Sequence, residues 1–265
     1  MRPDDGTLDR LKARAKSFIL GSGGVLHPTR QNHADDPLIV FIHVPKTAGS
    51  SFRDAAEKYF GSSSVERDYG TDNPYTTDIV HETVYSNRIE ALPAAMEQAS
   101  TRMLAGHFHA AKYLQLFMNR IRWCTFLRDP VQRVISEHRH LVVQNNYQQS
   151  LEYFCDTNAE CNKQTNLLQG IEEKDLYFVG VAEHFRQSIS SFNKLAGTRF
   201  KYAKKNIARK SLTEAYDVSD RVLQIIEENN RDDLAFYSKH AALYSKLATV
   251  RGLAAMPTFS SRRRS

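Results

Sequence analysis

The stretch PLIVFIHVPKTAGSSF, residues 37–52, constrains the fold more than any other part of the chain. Its first eight residues are almost all apolar, as a strand buried on both faces of a parallel sheet requires. A polar turn, PKTAG, comes next. Apolar residues then recur at helical spacing until Gly61, at Phe52, Ala55, Ala56, Tyr59 and Phe60. This order of strand, loop and helix predicts one unit of an α/β domain.

The same pattern returns at RWCTFL, Arg122–Leu127, which predicts a second buried strand. Asp129 and Pro130 follow it, and a proline at the first helical position is typical of a helix start. Further strands are predicted at Met103–Ala105 and Leu176–Val181. Helices are predicted after the last strand up to Gly197, over 215–229 and around 235–247, and residues 61–80 are predicted to be an irregular excursion.

Alternating strands and helices predict a three-layer α/β fold with a central, mostly parallel sheet. We expect residues 1–36 to form an N-terminal helix and linker arm, residues 37–250 a single domain, and residues 251–265 a basic, disordered tail. Ligands of such sheets bind at the carboxyl ends of the strands. The loops after residues 44 and 127 both fall there.

Composition narrows the partners of the chain. The 265 residues are 41% hydrophobic and carry a net charge of +6, which favours anionic partners, although a solubility role is equally compatible. No RNP-type aromatic pattern, zinc finger or helix-turn-helix signature predicts nucleic-acid binding.

No apolar run is long enough to span a membrane, and residues 1–20 lack a signal-peptide core. A short basic amphipathic helix there is compatible with peripheral membrane contact. We therefore expect a cytoplasmic protein, or a Golgi-lumenal one if an anchor has been removed; the sequence leaves the oligomeric state open.

The loop after the first strand has the residue types of an anion site. Its backbone amides can converge on an anion at the positive end of the following helix. Lys46 adds a charge, Gly49 permits close approach, and the rest of the candidate set is Thr47, Ala48, Ser50 and Ser51. An ordinary turn with a serine cap is the alternative interpretation. The Walker A string G-x-x-x-x-G-K-[ST] does not occur, which disfavours a P-loop kinase or nucleotide triphosphatase.

A second candidate anion site lies in WCTFLRDPVQRVISEH. Arg128 ends the strand and can present two parallel donors to a phosphate. Ser136 lies two turns into the next helix, and Arg133, three residues earlier, shares its face. Taken singly, each is more often a surface arginine or a helical serine. Two phosphate-type loops on parallel strands together favour a ligand with two anionic ends.

At these motifs the sequence resembles a family of enzymes. HVPKTAGSSF and FLRDPVQRVISEH resemble the 5′- and 3′-phosphate elements of sulfotransferases that use 3′-phosphoadenosine 5′-phosphosulfate (PAPS). The resemblance is strongest to the carbohydrate branch with the heparan sulfate and uronyl 2-O-sulfotransferases. It extends over residues 37–244 through GHFH, NKQTNLL, FVGVAEHFRQSI and NRDDLAFY. FCDTNAEC is similar to a cysteine pair of that branch, and whether Cys155 and Cys161 form a disulfide stays open.

The resemblance implies the roles of the candidate residues. Lys46 and the amides of 47–51 would hold the 5′-phosphosulfate, and Arg128 with Ser136, and less clearly Arg133, the 3′-phosphate. His107 would be the catalytic base, with His109 a weaker candidate. No metal is required, and although a His-x-His pair can bind zinc, no further ligands accompany it. The acceptor would be a glycan or another molecule with a hydroxyl. The alternatives are a P-loop kinase or nucleotide triphosphatase and a non-enzymatic basic protein that binds acidic polymers.

Overall fold

A computed structural model describes residues 37–117, 121–156, 160–201, 216 and 218–250. The predicted arm at 1–36 and tail at 251–265 lie outside these residues. Within them, one sheet of five strands has the order β2-β3-β1-β4-β5, and its four strand pairs are all parallel. The strands are β1 (Leu38–Ile42), β2 (Val65–Asp68), β3 (Met103–Gly106), β4 (Ile121–Leu127) and β5 (Leu176–Val181).

Nine α-helices of the described residues surround or extend the sheet. They are α1 (Gly49–Phe60), α2 (Asp78–Thr83), α3 (Leu92–Gln98), α4 (Pro130–Asn145), α5 (Leu151–Cys155), α6 (Lys163–Leu167), α7 (Phe185–Ala196), α8 (Asp220–Asn229) and α9 (Arg231–Val250). The predicted alternation of strands and helices is thereby confirmed. The helix predicted from residue 215 begins later, at Asp220, because the Ser219 side chain accepts a hydrogen bond from the Val222 backbone and caps it there.

Two apolar cores make the fold three layers thick. Alternate residues of β1 point to opposite faces, so that Ile39 and Phe41 pack on one side and Val40 and Ile42 on the other. The first core contains Phe52 of α1 and Phe192 of α7. The second contains side chains of α2, α3 and α6, among them Val80, Leu92 and Leu167. Both faces of the sheet are covered, as an all-parallel sheet requires.

The prediction of an irregular excursion over 61–80 was wrong, because β2 lies inside it and α2 begins at Asp78. The sequence of β2, VERD, lacks the apolar run of a buried strand. Its acidic side chains are nevertheless buried. Glu66 accepts a hydrogen bond from the Thr77 hydroxyl, and Asp68 accepts one from Tyr113. Because these buried carboxylates have hydrogen-bond donors, β2 can form an edge strand although its sequence is polar.

The strand order predicts a ligand crevice between β1 and β4. The chain leaves β1 toward β2, on one side of the sheet, and leaves β4 toward β5, on the other. Loops that diverge from adjacent parallel strands open a ligand crevice at their carboxyl ends. Both candidate anion loops border this crevice.

We expect Gly106→Ala to unfold the protein more easily, because a Cβ at residue 106 would lie 1.8 Å from the backbone oxygen of Asp68. Strands β2 and β3 would have to separate, at a cost of about 3 kcal/mol in the free energy of unfolding, measured by urea denaturation. Gly197→Ala is the matched control. It meets no atom within 4 Å but has φ +68°, and so costs about 1 kcal/mol. Equal losses in the two variants would contradict the close approach of the strands.

Candidate active site

The loop between β1 and α1 holds two non-glycine residues in the left-handed region, Lys46 (φ 67°) and Ala48 (φ 69°). Such residues are strained by about 1 kcal/mol or more and occur where the backbone must turn sharply, as around bound anions. The Thr47 hydroxyl donates to the carbonyl of Val44 (2.8 Å) and holds the turn. The backbone N–H groups of residues 47–50 donate to no other described residue. They lie at the N-terminus of α1, where a helix favours negative charge.

Gly49 is required because the loop closes directly over the ring of His43. A Cβ at residue 49 would lie 2.0 Å from Cδ2 of that ring. The His43 ring is buried, and its Nδ1 lies 3.0 Å from the hydroxyl of Tyr69. Arg53 donates to the same hydroxyl (2.9 Å), so Tyr69 links Arg53 to the His43 ring.

Arg128 joins the two anion loops. Its guanidinium is buried at the end of β4, and Nη1 donates to the backbone carbonyl of Lys46 (3.0 Å), 82 positions away in the chain. Gln164 holds the backbone of Arg128 from both sides: the Arg128 N–H donates to Oε1 (2.9 Å), and Nε2 donates to the Arg128 carbonyl (3.0 Å). Asp129 then caps α4 by accepting from the Gln132 backbone (2.9 Å). The loops of the predicted 5′ and 3′ sites are thus in direct contact.

Lys46 brings its charge to the same crevice. Burial lowers the pKa of its ammonium, the nearby Glu137 carboxylate raises it, and the Arg128 guanidinium lowers it again. Lys46 is therefore close enough to Arg128 for the two charges to repel each other. An anion between the two side chains would relieve that repulsion.

The two other predicted residues of α4 differ in their surroundings. Ser136 is half-buried on the helix. Arg133 is completely buried, forms an ion pair with Glu160 (3.2 Å) and donates to the Glu160 carbonyl (3.1 Å). Its guanidinium therefore makes an interior contact that supports the chain just before α6. This placement gives Arg133 a structural contact, while Arg128 lies in the crevice.

His107 lies directly after β3, with its backbone N–H donating to the Asp68 carbonyl (3.0 Å). Its ring packs against the rings of His43 (centroids 4.6 Å apart) and Tyr69 (4.7 Å). Part of the residue is open to solvent. Desolvation of the ring against the protein, then the positive charge of Lys163 and Arg53, lowers the pKa of His107 to about 4. The imidazole is therefore neutral at pH 7 and able to accept a proton.

His109, the weaker candidate for the base, points to another element. Its Nδ1 lies 3.2 Å from the carbonyl oxygen of Asn166 in α6. His109 is exposed but has one ring nitrogen committed to this backbone contact. Of the two histidines in GHFH, His107 is thus the one packed on His43, the ring that the anion loop covers.

Two groups of site residues escaped the sequence analysis. Asp68 accepts hydrogen bonds from Tyr85 (2.6 Å), Tyr113 (2.5 Å) and Lys112 (2.5 Å). Burial opposes ionisation of Asp68, but these donors outweigh it and hold its pKa below the usual value. Recognition of β2 as a strand would have placed Asp68 at the site's edge.

The second group supports α6 from α9. Asp233 is completely buried, and its carboxylate accepts from the backbones of Gln164 (3.0 Å) and Thr165 (2.8 Å). It therefore caps the N-terminus of the short helix that holds Arg128. The motifs NKQTNLL and NRDDLAFY carry this contact, but they are 68 residues apart, and their pairing requires the fold.

Three further findings on the described residues concern metal binding, membrane-spanning helices and the cysteines. Among them, no group of three or more histidine, cysteine, aspartate or glutamate side chains is arranged to hold a metal ion. No helix in this part of the chain has the length and apolar character needed to cross a bilayer. Cys155 and Cys161 are not joined in a disulfide, and burial raises the pKa of each thiol.

Comparison with known proteins assigns the family. The model of the sulfotransferase family Sulfotransfer_2 matches residues 30–240, which is most of the chain. The chain belongs to the sulfotransferase family. No curated protein matches it in sequence.

Three solved structures are similar to this sulfotransferase. Mouse sulfotransferase SULT7A1 complexed with PAP aligns with a TM-score of 0.43 and 10% identity, over 76% of this chain and 69% of the other. The sulfotransferase domain from the curacin biosynthetic pathway gives 0.39 and 12%, over 72% and 97%. Retinol dehydratase in complex with androsterone and the inactive cofactor PAP gives 0.34 and 10%, over 78% and 66%.

We expect His43 and His107 of the sulfotransferase to titrate below the usual histidine range, because burial and nearby cations disfavour their charged forms. NMR titration of the imidazole protons should show both rings neutral at pH 6.5, with the His107 midpoint at about 4. His43→Gln and His107→Gln assign the signals. A depressed pKa means that the unfolded chain binds the protons first, so stability falls as pH drops from about 6.5 toward the folded-state pKa values. A midpoint at or above 6.5 for His107 would contradict the site's electrostatics.

Proposed function

We propose that this sulfotransferase transfers the sulfuryl group of PAPS to a hydroxyl of a carbohydrate, with His107 as general base. The observation that carries the proposal is the hydrogen bond from Arg128 to the Lys46 carbonyl, together with the neutral ring of His107 packed on His43, the ring that the anion loop covers. It joins two cationic loops into one crevice with a proton acceptor at its edge. A nucleotide with an anion at each end of its ribose matches that arrangement.

The residues present fit PAPS. The free N–H groups of 47–50 and the Lys46 ammonium suit its 5′-phosphosulfate, and the absence of a Cβ at Gly49 leaves the His43 ring packed beneath them. The fork of Arg128 suits the 3′-phosphate, with Ser136 further along α4. When bound, PAPS supplies the sulfuryl group and leaves as 3′-phosphoadenosine 5′-phosphate (PAP). ATP has no 3′-phosphate to pair with Arg128, which gives the site a basis for discrimination.

In the proposed mechanism, His107 accepts the proton of the attacking hydroxyl. It is neutral, partly open to solvent and held by ring contacts with His43 and Tyr69. A positioned base of this kind accelerates proton transfer. Lys46 stabilises the negative charge that develops on the leaving phosphate oxygen.

A carbohydrate acceptor is supported by the motifs and by the net charge of the chain. GHFH and NKQTNLL resemble the 2-O-sulfotransferases of acidic glycans. Lys163 and Arg53 lower the pKa of His107, but they are themselves ion-paired, with Glu160 (2.6 Å) and Asp54 (3.2 Å). The net charge of +6 favours an acceptor that carries carboxylate or sulfate groups. An acidic glycan is therefore the acceptor class that we propose.

Transfer of radiolabelled sulfate from PAPS to a panel of acidic and neutral glycans tests the proposal directly. His107→Gln should lower kcat by about 10²-fold or more, while PAP affinity changes little, because the base acts only on the acceptor. His81→Gln on α2 is the matched control, and His109→Gln tests the weaker candidate. Near-normal turnover by His107→Gln would remove His107 from the role. Magnesium-dependent hydrolysis of ATP without transfer from PAPS would favour a nucleotide triphosphatase instead.

Arg128→Ala should weaken PAP binding by about tenfold to a hundredfold, because a charge-assisted contact to phosphate is lost. Calorimetry with PAP and with ADP, which lacks the 3′-phosphate, gives the measurement. The preference for PAP should shrink in Arg128→Ala and survive in part in Arg128→Lys, which keeps the charge without the fork. Arg186→Ala, at an exposed position of α7, is the control. An unchanged ratio of PAP to ADP affinity would defeat the 3′-phosphate assignment.

A further inference from the structure

Glu183 is a buried carboxyl group next to Arg128 that the mechanism above does not use. It lies in the short turn after β5, and the strand ends meet because Val181 pairs with Leu127 of β4. Its side chain is only 14% exposed. Glu183 Oε1 accepts from the Asp129 backbone (3.1 Å) and lies 3.9 Å from Nε of Arg128. Its Oε2 is buried, and the phenol of Tyr237 approaches the carboxyl group as a hydrogen-bond donor.

Each element packed around Glu183 brings one ionisable group toward it. Arg128 faces it from β4, Asp129 from the start of α4, and Tyr237 from α9. Burial, then the Glu183 and Asp129 carboxylates, raises the pKa of Tyr237, so its phenol stays neutral. Burial also raises the pKa of Asp129. Arg128 is thus the single cation among these groups and faces two carboxyl groups.

The ionised form of Glu183 is only partly compensated. Its donors are neutral groups, namely the backbone N–H of Asp129, its own backbone N–H and the Tyr237 phenol, and the Arg128 guanidinium lies beyond hydrogen-bond distance. A buried carboxylate without a cation in direct contact favours its neutral form. In agreement, burial raises the pKa of Glu183 to about 7, with the backbone donors and Arg128 opposing the shift.

We propose that Glu183 positions Arg128 when no nucleotide is bound and takes up one proton from water when a phosphate monoester binds to Arg128. The inference rests on the proposed function, in which that phosphate is the 3′-phosphate of PAPS and PAP. The dianion and an ionised Glu183 would compete for one guanidinium within a buried site, and like charges there repel strongly. Protonation converts the carboxylate to a carboxyl group, which leaves the guanidinium to the phosphate. The proton returns to water when the nucleotide leaves.

The direction in which PAP affinity changes with pH follows from the coupling between nucleotide binding and proton uptake by Glu183. Below the pKa of Glu183 in the free protein the group already holds its proton, so binding takes up none. Above it, each binding event must bring a proton, and PAP affinity falls by up to about tenfold per pH unit. Lys46 also has a lowered pKa, so anion binding beside it adds proton uptake of its own. Substitution of Glu183 leaves the proton uptake by Lys46 unchanged.

Calorimetric titration with PAP, in two buffers of different ionisation enthalpy, measures both affinity and proton uptake. Between about pH 7.5 and 8.5 the wild type should lose affinity several-fold and take up close to one proton more than Glu183→Gln. Glu183→Gln should bind PAP more tightly than the wild type at the higher pH, because its neutral amide does not compete for Arg128. Glu172→Gln, which removes an exposed carboxylate paired with Lys174, should behave as the wild type.

The outcomes separate the inference from the function on which it rests. PAP binding with the same pH slope in the wild type and in Glu183→Gln would overturn the inference and leave the function standing. Absence of PAP binding by the wild type at every pH would overturn both. A second comparison needs no variant: proton uptake by the wild type must be larger with PAP than with ADP, which lacks the 3′-phosphate. Equal uptake with the two nucleotides would also overturn the inference.

Discussion

The hydrogen bond from the Arg128 guanidinium to the Lys46 carbonyl is the contact on which the site depends. It joins the loops that leave the two central strands β1 and β4. The left-handed backbone of Lys46 permits the sharp turn in which its carbonyl meets Arg128 while the following N–H groups stay available to an anion. Because both strands are buried on both faces, neither loop can shift without disturbing a core. The sheet order therefore brings the two cationic loops together at one edge of the sheet.

Helix α6 contacts both Arg128 and His109, although it is only five residues long. Gln164 holds the backbone of Arg128, and the Asn166 carbonyl contacts the ring of His109. So short a helix is not stable by itself. Its stability comes from Asp233, whose buried carboxylate caps it from α9. Helix α9 thus supports the position of Arg128 through α6.

The parts of the fold that local patterns determine could be predicted from the sequence. The apolar runs of β1 and β4 identified the two central strands, because a buried parallel strand imposes its residue types over a few positions. The polar loops after them were candidates for anion binding for the same local reason, and that assignment stays a prediction. β2 was missed because its burial depends on partners elsewhere in the chain, such as Tyr113 for Asp68. The roles of Gln164, Asp233 and Glu183 were missed for the same reason, since each makes its decisive contact with residues 36 to 69 positions away.

The low basicity of His107 is consistent with a base that acts only after the donor has bound. In the protein alone, desolvation is the largest cause of the low pKa of His107. The charges of Lys163, Arg53 and Lys46 lower the pKa further, and the charge of Asp68 raises it. The proposed anion would lie among Lys46 and the N-terminus of α1, close to the same ring. Its negative charge offsets the cations, and so raises the pKa of His107 toward the range in which a general base works best. Under the proposed function, the donor therefore brings both the group to be transferred and the electric field that makes its base effective.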